Sequence, residues 1–130
     1  MNRLRSITAP QFLLVLLVAS AVVHAVHGVR LWDTSRLAIV DAVLVVAALV
    51  VAGMLARTLK TPAAQPVPLL SAAVVGAVGV ATFLLPSVLA LTQGRPLAGL
   101  FDGWAFAALI VDAIVVRIAI FALKRTLPTG

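Results

Sequence analysis

Two histidines and two aspartates stand where a charge is expensive. His24 and His27 are three residues apart and Ser20 precedes His24 by four. On a helix the three share one stripe. Asp41 and Asp112 lie in the same tetrapeptide, once as Ile39-Val40-Asp41-Ala42 and again as Ile110-Val111-Asp112-Ala113, and Arg117 follows five residues after the second copy. Imidazole and carboxylate groups hydrogen-bond to one another, and imidazole changes charge near neutral pH. Inside an apolar segment such groups act as proton or cation sites, or as ties between helices. The H-x-x-H spacing also offers two imidazoles to a metal or haem. Two histidines on one helix cannot be opposite axial ligands of one haem, and the chain has no third.

The elements that hold these residues follow from composition. Of 130 residues, 63% are hydrophobic and only 11% are charged, with a mean hydropathy of +1.20. A soluble domain is about half apolar and about a quarter charged. This chain has too little polar surface to face water, and a lipid bilayer is its expected solvent. Cysteine is absent, which removes disulfides, thiolate catalysis and cysteine-bound metal centres. Ten Lys and Arg oppose four Asp. The basic residues are scattered at the ends of apolar runs, a pattern of topology determinants and not of a nucleic-acid-binding face.

Four runs are long enough to cross a bilayer as helices: 10–29, 37–56, 67–92 and 103–123. Pro10 suits a first helical turn, Thr34 and Ser35 offer capping oxygens to the second helix, and Pro86 is expected to kink the third. Arg3, Arg5, Arg57, Lys60, Lys124 and Arg125 fall on one side of the membrane. Arg30, Arg36 and Arg95 fall on the other, with Asp33 and Asp102. This excess puts both termini in the cytoplasm of a cell, with Trp32 and Trp104 at the outer headgroup level. Ala19-Ser20-Ala21 resembles a signal-peptide cleavage site, but the apolar run continues to Val29, so the first run is read as a retained span.

Sliding the chain against itself by 71 residues pairs more than the tetrapeptide. Phe12-Leu13-Leu14 meets Phe83-Leu84-Leu85, Gly28 meets Gly99, Val45 meets Val116 and Ala48 meets Ala119, without a gap. The expected fold is therefore an all-α integral membrane four-helix bundle, one domain over 1–130, made of two tandem helical hairpins related as parallel repeats. The third helix carries small residues at four-residue spacing, Ala73, Ala77 and Ala81, and also Ala72 and Gly76, which suit close helix packing.

Energetics single out the fourth helix. An Asp, Lys or Arg at the bilayer centre costs about 2.5–3.5 kcal/mol and each Leu, Ile, Val or Phe returns about 0.3–0.6. The second and fourth helices each hold eleven such residues, which offsets one charge with ease. Asp112 and Arg117 together bring the fourth near balance. Five residues place them about 140° apart around the helix, so they are poorly set to pair. Arg117 either snorkels toward the cytoplasmic end or finds a partner across the bundle.

Three readings of the polar residues follow. In the preferred one, His24 or His27 bonds to Asp41, and the protein is a non-enzymatic accessory or complex-forming subunit, as a homo-oligomer or within a larger membrane complex. In the second, His24, Asp41 and Asp112 carry protons or a cation in a small transporter or channel protomer. In the third, the histidines anchor haem or a quinone site. No cofactor is expected under the first two. No enzyme motif is present: Gly76-x-x-Gly79 lies within an apolar run and is no phosphate loop.

Overall fold

A computed structural model describes residues 8–33, 36–95 and 103–126. Arg3, Arg5, Thr34, Ser35, Gly99 and Asp102 lie outside the described residues. Four long helices account for most of the rest: α1 (Ala9–Leu31), α2 (Leu37–Thr58), α3 (Pro66–Thr92) and α4 (Gly103–Thr126). A one-turn 3-10 helix, Pro62–Ala64, joins α2 to α3. All four are long and apolar enough to cross a membrane. The shortest has 22 residues, which at 1.5 Å per residue spans the roughly 30 Å of hydrocarbon.

Local signals explain the helix ends. α1 opens on a capping box: the Thr8 hydroxyl accepts from the Gln11 backbone N–H at 3.4 Å, and the Gln11 side chain accepts from the Thr8 N–H at 3.2 Å. Pro10 sits in the first turn, where its missing donor costs nothing. α2 has Arg36 at its N-cap, which makes no side-chain capping bond. Its far end is closed by Gln65, which is buried and donates from Nε2 to the Thr58 carbonyl at 3.0 Å. Free carbonyls at a helix C-terminus need such partners, and the TPAAQP linker supplies one.

α3 starts at Pro66, slightly earlier than the apolar run, and continues through Pro86 to Thr92. Proline there withholds one backbone donor. The Ser87 hydroxyl donates to the Phe83 carbonyl at 3.1 Å, and Thr82 donates to Val78 at 2.8 Å, so side chains share in the hydrogen bonding around that turn. The helix ends in a Schellman motif. Gly94 adopts a φ of 65°, Arg95 N–H donates to the Ala90 carbonyl at 2.8 Å, and Gly94 N–H donates to Leu91 at 3.2 Å.

The helices close into a ring in which α1 packs on α2 and α4, and α3 packs mainly on α4 and more lightly on α2. The end holding Thr8, Thr58, Pro66 and Thr126 is called the base here, and the end holding Leu31, Leu37, Thr92 and Gly103 the crown. The base half has an apolar core of Leu13, Leu17, Leu55, Leu69, Val115 and Ala119, all nearly inaccessible. The outer faces are apolar as well. Leu70, Val74, Val78, Leu85 and Leu91 of α3 are all exposed. A surface of that kind fits an integral membrane protein, because hydrocarbon removes the cost of exposing it. Packing and hydrogen bonds, not a drive away from water, then hold the helices together.

Candidate functional site

The crown half holds a buried polar cluster. α1 presents Ser20, His24 and His27 on the stripe that their four- and three-residue spacing dictates. His24 lies seven residues from the end of α1, Asp41 four from the start of α2 and Asp112 nine from the start of α4. Those spacings correspond to depths of roughly 10, 6 and 13 Å below the crown. His24 is thus level with the gap between the two carboxylates, and it bridges them. Its Nδ1 lies 2.7 Å from Asp41 Oδ1 and its Nε2 lies 2.6 Å from Asp112 Oδ2. His27 Nδ1 lies 2.7 Å from the other oxygen of Asp41, and the Ser20 hydroxyl donates to the other oxygen of Asp112 at 2.6 Å. Every carboxylate oxygen has a partner. Among the described residues no buried side-chain nitrogen or oxygen is left without one.

Burial makes this network costly to disturb. Asp41 and Asp112 are each 1% exposed, Ser20 2% and His24 3%. Only His27 reaches outward, with 13% of its side chain accessible. A groove of about 220 Å³ runs along α1 and α2 beside the cluster, lined by His24, Gly28, Trp32, Ala38 and Val45.

Counting protons fixes what the cluster contains. Three nitrogen–oxygen contacts of 2.6–2.7 Å join two imidazoles to two carboxylates. Each needs one proton, since two facing lone pairs would repel at that distance. Two neutral imidazoles bring only two protons. The geometry therefore holds one more, either as a His24 imidazolium between two carboxylates or as a carboxylic acid beside a neutral His24. In both forms, with His27 neutral, the cluster carries one net negative charge. Among the described residues no group of three or more His, Asp or Glu is arranged to hold a metal ion.

Two glycines make room for the acids. On α3, a Cβ at Gly79 would lie 2.6 Å from Asp112 Cγ and collide with its Oδ2. One turn earlier, a Cβ at Gly76 would come within 2.8 Å of Val116 and 2.9 Å of the Asp112 carbonyl. On α1, a Cβ at Gly28 would stand 3.0 Å from the Asp41 Cβ. Real Cβ contacts are rarely this tight, so α3 and α4 approach this closely only because these positions lack side chains.

The candidate residues thus divide. His24, His27, Asp41 and Asp112 converge on one site, and Ser20 joins them. Arg117 does not: it is exposed on the outer face of α4. Of the small residues on α3, Ala72, Gly76 and Gly79 are buried, Ala73 and Ala81 are half-buried, and Ala77 is exposed. Pro86 is half-buried, above the level of Gly79. Near it, Phe83 of α3 meets Phe106 of α4 edge to face, with ring centres 6.2 Å apart. The importance of Gly79 is not evident from sequence spacing alone. Its neighbour in space, Asp112, is the only signal, and that contact exists only in the fold. No known protein family, curated protein or solved structure matches the chain.

Proposed function

We propose that this is a small integral membrane protein that binds and releases a proton at the Asp41–His24–Asp112 cluster, in the service of proton-linked transport. The observation that carries the reading is the double contact of His24, whose two ring nitrogens each face a carboxylate on a different helix. That arrangement stores a proton in a water-poor layer of the bundle and shares it among groups able to exchange it. Buried carboxylates and histidines on membrane helices commonly carry protons.

The topology belongs to the same proposal. Arg57, Lys60, Lys124 and Arg125 are at the base, and Arg30, Arg36 and Arg95 at the crown with Asp33, which supports a cytoplasmic base. The close packing of α1 on α2 and of α3 on α4 supports two tandem hairpins.

The test is proton flux in liposomes carrying the purified protein, driven by a potassium diffusion potential and read by an internal pH-sensitive dye. Flux is expected for the natural sequence, and its loss for Asp41→Asn and Asp112→Asn at unchanged helix content. Flux no greater than in empty liposomes would end the transport reading. A second reading, of a non-enzymatic accessory or complex-forming subunit, is favoured by the complete saturation of the network, which ties α1, α2 and α4 together. Under it the same Asn variants weaken assembly or stability, and mild purification brings down a stoichiometric partner.

A further inference from the structure

Arg117 lies inside an apolar helix and faces outward from the bundle. The acids among the described residues are Asp33, Asp41 and Asp112. Both oxygens of Asp41 and of Asp112 are taken by the cluster, and Asp33 is at the crown, just past the end of α1. Asp102 immediately precedes α4 in sequence. Fourteen residues of helix separate Gly103 from Arg117, about 21 Å along the axis. Among the described residues, then, no carboxylate neutralises Arg117.

The surroundings show what would. Arg117 and Lys124 line one groove of about 610 Å³ on α4, together with Ala113, Val116, Ile120 and Phe121. Seven residues apart, the two cations stand two turns from each other on one face. Lys124 marks the base end of the apolar run, and Arg117 sits about 10 Å deeper. Arg125 is turned aside, with its guanidinium 5.4 Å from the centre of the Phe121 ring. The groove therefore has a charged rim at the base, a guanidinium about 10 Å deeper and an apolar floor.

We propose that this groove is a binding site for an anionic phospholipid of the base-side leaflet. The phosphate oxygens accept from the planar fork of Arg117, the negative headgroup lies beside Lys124, and an acyl chain follows Ala113, Val116 and Ile120. Guanidinium matches phosphate in a two-pronged way that an ammonium does not. Basic recesses at the edge of membrane helices select anionic headgroups by this chemistry. A choline headgroup would bring its own positive charge against Lys124. The inference rests on the bilayer as solvent and is independent of what the His24 cluster does.

Native mass spectrometry of the full chain, released from micelles doped with phosphatidylglycerol or with phosphatidylcholine, tests it. The expected result is one retained phosphatidylglycerol per chain, with a preference over phosphatidylcholine of about tenfold. Arg117→Gln should abolish the preference, Lys124→Gln should reduce it, and Arg117→Lys should leave part of it. Circular dichroism on each variant checks the fold, and Arg117→Lys keeps the test alive if Arg117→Gln does not assemble. Equal retention of the two lipids by the natural sequence would overturn the proposal. So would an undiminished preference in Arg117→Gln, or a dimer that depends on Arg117 and holds no lipid.

Discussion

Replacing Gly79 by alanine should dismantle the cluster from a helix that contributes no polar group to it. The new Cβ would fall 2.6 Å from Asp112 Cγ. Retreat of α3 would open the seam in which Gly76 lets it approach Val116 and the α4 backbone closely. The less costly response is rotation of the Asp112 side chain out of the site. That breaks the contacts to Ser20 and His24, both of 2.6 Å. Interhelical hydrogen bonds in bilayers are worth about 0.6 kcal/mol on average and up to about 1.7. Leaving buried donors without partners adds about 1–3 kcal/mol. Alanine returns about 0.8–1 kcal/mol through better helix propensity. The net loss is about 2–3 kcal/mol.

A double-mutant cycle separates this from ordinary overpacking. In an Asp112→Ala background the carboxylate is gone, and of the three nearest atoms to the new Cβ only the Cβ of residue 112, at 3.2 Å, remains. There Gly79→Ala should cost less than about 1 kcal/mol, giving a coupling energy of at least about 1 kcal/mol. Reversible unfolding in mixed micelles, followed by the fluorescence of Trp32 and Trp104, provides the four stabilities. Equal cost of Gly79→Ala in both backgrounds would show that the glycine serves helix packing alone, and the seat assigned to Asp112 would be wrong.

Gly28→Ala should be milder, a loss of about 1–2 kcal/mol, because its Cβ would stand 3.0 Å from a Cβ and clear of both carboxylate oxygens; the same unfolding assay reads it. Gln65→Ala removes the side chain that caps α2, and about 1 kcal/mol of stability with it. Hydrogen exchange should then rise at the base end of α2 and stay unchanged around Asp41. For the proton count, nitrogen-15 spectra of histidine-labelled protein in bilayers should show either both His24 nitrogens protonated or one protonated beside a neutral carboxylic acid seen by infrared. Two ionised carboxylates together with a neutral His24 and a neutral His27 would contradict the geometry.

The four helices and the depth of the polar layer were legible because few residues compete with the hydrophobic background. An aspartate in a run such as Leu37 to Val51 stands out, and the count of residues from each helix end gives its depth. The pairing of His24 with Asp41 follows from the antiparallel hairpin. Rotation of α4 about its axis was not legible: the sequence allowed Asp112 a place near the layer, while its contact with the far ring nitrogen of His24 depends on how closely α3 approaches. That approach is set by Gly76 and Gly79, which are inconspicuous among the alanines and valines of α3. A four-residue ladder through Ala73, Ala77 and Ala81 is equivalent by composition, yet the buried face follows Ala72, Gly76 and Gly79, with steps of four and three. The Thr8–Gln11 capping box stands in the sequence as a T-x-x-Q pattern around Pro10. Gln65 could not be assigned, because its reach to Thr58 depends on the intervening 3-10 turn.

The twin tetrapeptides end in unlike surroundings, and the difference gives the site a direction. Asp41 is shallow and bonds to two imidazoles, each able to hold a positive charge. Asp112 is deeper, bonds to one imidazole and one hydroxyl, and lies against a glycine backbone. The hydrogen-bonded chain therefore runs from Ser20 through Asp112, His24 and Asp41 to His27, and His27 is the member nearest the surface. Toward the base it stops at Ser20. Among the described residues, the buried side chains between Ser20 and Gln65 are all apolar, with Leu17, Leu13 and Leu55 in sequence down the core. From His24 the bonded groups reach His27 near the crown, while toward the base they end at Ser20. Passage through the bundle would require α1 to shift against α4, the helix pair that the contacts of Asp112 to Ser20 and His24 hold in register.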